Sequence, residues 1–171
     1  MTSRTLVLLR HAKAETPDDG PDFDRHLAPR GQADADAVGA WLADEDLWPT
    51  LVICSPAVRT RETWHLAAIA LTSAKPDGTA PEVRYEERLY TGGRTEVFDL
   101  LRAVPDEIGT VLVVGHNPTV SDVSMLLRPD PEAAGREGLK TAGLAVHRAD
   151  GSWSTTEPGS MPLVGEHTAR A

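Results

Sequence analysis

Arg10 and His11 sit side by side early in the chain, Arg59 lies well downstream, and His116 follows further on. A neutral imidazole is a nucleophile near neutral pH, and a guanidinium offers a planar fork of N–H donors to an oxyanion. Two imidazoles and two guanidiniums brought together suit a phosphate dianion. Taken singly, each residue has a plainer reading. Arg10-His11 by itself reads more readily as a basic pair in a surface loop. Arg59 reads as a solvated cation in the first turn of a helix, where the macrodipole costs about 0.3–1 kcal/mol. A lone histidine such as His116 is most often structural. Whether the four act together depends on the elements that carry them.

Three short apolar runs, residues 6–9, 51–54 and 111–114, have the character of strands covered on both faces. Each ends at a candidate. The first runs into Arg10-His11, where both side chains can face one ligand only if the backbone bends. The second ends at Ser55-Pro56, an N-cap and a first-turn proline that open a helix holding Arg59. The third ends at Gly115-His116-Asn117-Pro118, with Gly115 permitting close backbone approach and Asn117-Pro118 announcing another helix.

Helical periodicity covers residues 29–46, 56–71, 96–103 and 119–127, with Pro29 at the first position of the earliest helix. Residues 83–85 form a short candidate strand. Residues 144–147 and 152–156 read as a hairpin around 149–151. Loops fill the stretch up to residue 28, the stretch from 72 to 81, and residues 129–138. The alternation predicts an α/β fold, a three-layer α/β/α sandwich with a mostly parallel central sheet. Its ligand site belongs at the carboxyl ends of the strands. Residues 1–156 form a single domain in this reading. Residues 157–171, with two prolines and two glycines, form a loosely ordered tail.

Composition narrows the function. A chain of 171 residues, 40% apolar and 25% charged, can bury one sizeable core. A net charge of −9 argues against nucleic-acid and membrane-surface roles. No run approaches the ~18 consecutive apolar residues of a membrane helix, and the first residues lack a signal-peptide pattern. A cytoplasmic protein is expected. The single cysteine, Cys54, excludes an internal disulfide and a cysteine metal cluster, and its apolar setting suggests a core thiol. Trp41, Trp48, Trp64 and Trp153 fit core or interface, so oligomeric state stays open.

Residues 8–15 (LLRHAKAE), 55–63 (SPAVRTRET) and 113–119 (VVGHNPT) resemble the three signature blocks of the histidine phosphatase superfamily, the phosphoglycerate-mutase-like group. Their order and separation also match, and the resemblance runs from residue 5 to residue 146. The short chain is similar to the SixA-type branch, small bacterial phosphohistidine phosphatases. That branch carries an arginine in a segment like residues 22–31 (DFDRHLAPRG), which makes it Arg25 here. Ala28 stands where such segments often have threonine, which weakens the helix cap.

The resemblance implies roles. His11 attacks phosphorus and carries the phosphoryl group until water removes it. Arg10, Arg25 and Arg59 bind the equatorial oxygens, and His116 donates to them while protonated. Fixed cations make metal and cofactor unnecessary. Many members place an acid near the pocket, and Glu86 and Glu87 lie in the corresponding region, with Glu87 the candidate proton donor. Both read equally as solvated acids. Modest connections between the blocks predict an open mouth, suited to a phosphorylated protein and in particular to phosphohistidine. A small phosphorylated substrate, as for a phosphomonoesterase, is the alternative. A non-catalytic phosphate-binding regulatory module is the alternative of another class, and retention of both histidines and the arginines speaks against it.

Overall fold

The apolar run at residues 6–9 lies within β1 (Ser3–Arg10) of the computed structural model, which describes residues 2–130 and 137–171. On one side β1 pairs in parallel with β4 (Thr110–Gly115); on the other it pairs antiparallel with β5 (Gly143–Asp150). The parallel ladder continues through β2 (Leu51–Cys54) to β3 (Glu82–Tyr85). With β6 (Leu163–Thr168) antiparallel to β5, the order is β3-β2-β4-β1-β5-β6.

Alternation along the strands sends side chains to two cores. Val7, Leu9, Val52, Leu112 and Val114 pack with α1 (Pro29–Asp44) and α2 (Val58–Ala74). Leu6, Leu8, Ile53, Val111 and Val113 pack with α4 (Arg94–Arg102) and α5 (Thr119–Leu127). A single turn, α3 (Arg88–Thr91), precedes α4. The result is the three-layer sandwich that the strand and helix alternation implies. α1 and α2 meet backbone to backbone, since a Cβ on Gly39 would lie 2.1 Å from the Ala67 carbonyl oxygen. Cys54 is a core thiol, pushed up to about 12 by burial. Trp64 and Trp153 are core residues, and Trp153 Nε1 donates to the Ile108 carbonyl at 2.6 Å. Among the described residues no helix is long and apolar enough to cross a membrane.

The expected loose tail at 157–171 is corrected by the structure. Residues 163–168 are β6, Met161 and Ala169 are buried, and the Ala169 N–H donates to the Ala142 carbonyl. Buried Asp34 of α1 then receives Arg170 Nη1 at 3.3 Å and the Ala171 N–H at 3.1 Å. The sheet therefore extends past residue 156. Being an edge strand with one bare rim, β6 shows charged and small residues where a buried strand shows a hydrophobic run.

The expected hairpin also changes partner. β5 pairs with β6, while Trp153–Thr155 form a 3-10 turn that seats Trp153 in the core. The helix expected from Pro56 begins at Val58 and runs on to Ala74. Of the expected loop at 129–138, residues 131–136 lie outside the described residues.

Candidate active site

The carboxyl ends of β1, β4 and β2 are neighbours in the sheet, and each delivers a polar group to the same place. β1 ends at Arg10; the His11 N–H still bonds the Gly115 carbonyl at 3.1 Å before the chain leaves the sheet. That departure is the bend that lets both side chains address one ligand. His11 is 9% exposed. Its Nδ1 lies 2.7 Å from the Ala12 carbonyl oxygen, which can only accept, so Nδ1 carries the proton and Nε2 the lone pair. The Ala12 N–H donates to Thr63 Oγ1 at 3.1 Å, and that hydroxyl donates to the Arg59 carbonyl at 2.7 Å. Burial drives the His11 pKa down to about 3. The Ala12 bond opposes this, while His116, Arg59 and Arg10 add to it. The ring is a neutral, oriented imidazole.

Ser55 is not the cap of α2, whose first residue is Val58. Its buried hydroxyl instead sits 2.8 Å from His116 Nε2. Arg59, second in α2 and 6% exposed, sets Nη2 3.4 Å from His116 Nδ1. A guanidinium can only donate, so Nδ1 accepts and Nε2 donates to Ser55. Burial above all, then the Arg59 charge, holds His116 at about 4, against a pull upward from Asp22. The two imidazoles stand 5.3 Å apart between centroids. Arg10 Nη1 donates to the Leu139 carbonyl at 3.1 Å. The Nε atoms of Arg10 and Arg59 are buried without a partner among the described residues, as are those of Arg4 and Arg128 elsewhere in the fold. Gly115 leaves less room than its type suggests, since a Cβ there would meet Val120 at 3.0 Å.

A rim stands over these groups. Ala14 pairs with Leu27, and Ala28 N–H bonds the Lys13 carbonyl, so the long loop after His11 doubles back. At its tip the 3-10 turn Asp22–Asp24 reaches Arg59. The Asp22 carbonyl accepts Arg59 Nη1 at 2.8 Å, and Oδ2 accepts Arg59 Nη2 at 3.0 Å and the Tyr90 hydroxyl at 2.9 Å. Oδ1 accepts Arg25 Nη1 at 3.0 Å, while Arg25 Nε donates to the Glu15 carbonyl. Partial burial pushes the Asp22 carboxyl up, but the bonds from Arg25, Tyr90 and Arg59 outweigh it and hold the group at about 2. Tyr90 also turns its edge to His116, 5.6 Å between centroids.

Arg10, His11, Arg59 and His116 are thus brought together, and Arg25 joins them through Asp22. Glu87 does not join: it is exposed, and its side chain bonds no group among the described residues, while Glu86 pairs with Arg88 at 3.0 Å. Asp22, Thr63 and Tyr90, and the orienting use of Ser55, escape the sequence reading. Asp22 lies inside the segment quoted for Arg25, but nothing in its type distinguishes it from the acids around it.

Comparison with known proteins gives the family and the fold. The profile of the histidine phosphatase superfamily (branch 1) matches residues 6–89. A protein of Mycobacterium tuberculosis (strain ATCC 25618 / H37Rv), named as uncharacterized, is 39% identical over 168 residues, spanning 95% of this chain and 100% of that protein. The solved structure of "Putative Phosphohistidine Phosphatase SixA" from Nakamurella multipartitia has a TM-score of 0.82 and 33% identity, with 100% of this chain and 99% of that chain covered. A "protein histidine phosphatase SixA complexed with tungstate" has a TM-score of 0.77 at 20% identity, with 96% of each chain covered, a likeness of fold. The chain belongs to the histidine phosphatase superfamily and is a phosphatase of the phosphoglycerate-mutase-like fold.

Proposed function

We propose that this phosphatase works without a metal, through a phosphoryl group carried on His11, and that its substrate is phosphohistidine on a protein. The observation that carries the reading is the bond from His11 Nδ1 to the Ala12 carbonyl. It leaves Nε2 with a free lone pair, and burial keeps the ring neutral at working pH.

In the first step Nε2 of His11 forms a bond to phosphorus while the bond from phosphorus to the leaving atom breaks, its electron pair departing with that atom. In the second, water bonds to phosphorus and the Nε2–phosphorus bond returns its pair to His11. Both water protons leave on the released phosphate. Arg10 and Arg59, with Arg25 at the rim, supply the positive charge that the equatorial oxygens require through both steps. A phosphate dianion beside His116 favours its protonated, donating form.

The substrate assignment rests on the leaving group. An alkoxide needs a proton from the enzyme. Glu87 is exposed and bonds no pocket group, and Asp22, the carboxylate bonded to Arg59 and Arg25, stays ionised at about 2 and cannot donate. A phosphorylated imidazole brings its own proton on the second ring nitrogen. The SixA names among the similar structures support the same choice. Turnover of a phosphohistidine peptide, p-nitrophenyl phosphate and a sugar phosphate, each in chelator, tests it. The expected order places the phosphohistidine peptide first by kcat/KM, with acid-labile phosphate trapped on His11 and lost in His11→Ala. Dependence on added divalent metal, or preference for the sugar phosphate, overturns it.

A further inference from the structure

Asp22 is an unusual group to find over an anion pocket. Its backbone carbonyl and one carboxylate oxygen both hold Arg59, and the other oxygen holds Arg25. Neither guanidinium explains why the side chain is half open to solvent, with 52% of it exposed. A carboxylate has about four lone-pair sites. Arg25 takes one on Oδ1, and Arg59 and Tyr90 take those on Oδ2, so one site on Oδ1 of this half-exposed side chain is left unused by these bonds.

Depth fixes what that site meets. His11 is 9% exposed on the floor, and Asp22 stands at the rim above Arg59. In-line displacement sends the leaving group directly away from the attacking nitrogen, and a leaving group carried by a protein in solvent departs from a buried nitrogen on the solvent side, where Asp22 is exposed. We infer that Asp22 is a specificity residue for the reaction: its open carboxylate oxygen accepts the free ring N–H of a protonated, N-phosphorylated imidazole and so selects phosphoramidates over phosphomonoesters. The inference rests on the proposed function and sharpens it.

The chemistry balances without an added acid. The substrate imidazole enters protonated on the ring nitrogen that is not phosphorylated, its N–H directed at Asp22. When the phosphorus–nitrogen bond breaks, its electron pair stays on the departing nitrogen and neutralises the imidazolium. The proton that Asp22 faces never moves. A phenolate or alkoxide leaving at the same place would instead build negative charge against a fixed carboxylate. The groups packed around Asp22 are Arg25 on its own loop, Arg59 of α2, and Tyr90 of α3, with His116 behind Tyr90.

A purely positioning role, in which Asp22 only holds Arg25 and Arg59, would weaken all substrates together. The test is therefore a ratio: kcat/KM for a histidine peptide phosphorylated on its ring, divided by kcat/KM for p-nitrophenyl phosphate. In Asp22→Asn this ratio falls roughly tenfold or more, and the alkaline limb of the kcat profile for the phosphohistidine peptide moves about one pH unit lower, because the bound imidazolium loses its counter-charge. An unchanged or higher ratio, or an unmoved limb, overturns the inference while the parent's turnover of phosphohistidine still stands. A parent enzyme that turns over p-nitrophenyl phosphate but never the phosphohistidine peptide overturns the proposed function, and this inference with it.

Discussion

His11 Nδ1 donates to the carbonyl of Ala12 at 2.7 Å, while the Ala12 N–H donates to Thr63 of α2 at 3.1 Å. The residue that sets the tautomer of the nucleophile is thus itself pinned to the helix that carries Arg59. Thr63 is fully buried, so Thr63→Val keeps its shape and removes only the hydroxyl. The Ala12 N–H is then unsatisfied, at a cost of about 1–3 kcal/mol. The expected result is a roughly tenfold loss of kcat in a chain that still folds, with a lowered melting temperature. Full kcat in that variant would show that the Ala12 backbone holds itself.

The tautomers are directly observable. Nitrogen chemical shifts should report His11 as the neutral Nδ1–H form and His116 as the neutral Nε2–H form in the phosphate-free protein at pH 5.5. With pKa values of about 3 and about 4, neither ring takes up a proton in that range. A midpoint near 6.5 for either would contradict the burial that sets them.

Acid stability follows from a third histidine, remote from the pocket. His147 is buried, with Nδ1 on the Met161 carbonyl and Nε2 on Ser124, and burial lowers it to about 4. Its ordinary value is 6.5, so below that pH the unfolded chain binds more protons than the folded one. The stabilisation is complete above about pH 6.5 and is lost progressively as pH falls toward 4. By pH 5 His147 alone accounts for about 2 kcal/mol. Urea midpoints measured at pH 7 and pH 5 should differ in that direction, and His147→Gln should shrink the difference by about a third, since His11 and His116 are lowered in the same way.

Gly31 gives a steric test of how the first helix supports the nucleophile loop. A Cβ there would lie 2.0 Å from the Lys13 carbonyl oxygen, two residues after His11. Gly31→Ala forces α1 and that loop apart, at a cost of about 1–3 kcal/mol, and lowers kcat by displacing His11. At Gly109 an added Cβ meets nothing within 4 Å, so Gly109→Ala serves as the control. Thermal melts and turnover of the two variants side by side separate a clash from a general glycine effect.

The parts of the fold legible in the sequence are those buried on both faces. β1, β2 and β4 read as unbroken apolar runs because helices cover them above and below, and α5 matches its expected span of 119–127. The residues at their carboxyl ends were legible for the same reason: Arg10, His11 and His116 stand where such runs stop. β6 was not legible, since an edge strand with exposed Glu166 and His167 carries no hydrophobic signal. Nor was the rim. Asp22 and Tyr90 take their meaning from a loop that doubles back over α2, and long-range pairing such as Ala14 with Leu27 leaves no local pattern. Ser55 reads from the sequence as a helix cap and serves instead as the partner of His116, because a cap and a histidine partner ask for the same hydroxyl.

The strand order has a last consequence for the pocket. His11 leaves β1 and His116 leaves β4, which are hydrogen-bonded neighbours. Such strands lie about 4.7–4.9 Å apart, and the two imidazoles stand 5.3 Å apart. The gauge of the floor is thus inherited from the peptide ladder, which is the same whatever side chains fill the core. Sequence drift in the two cores can alter how firmly the floor is held, but not its width. The rim hangs on loops outside that ladder, free to be recut for another cargo while the floor keeps its measure.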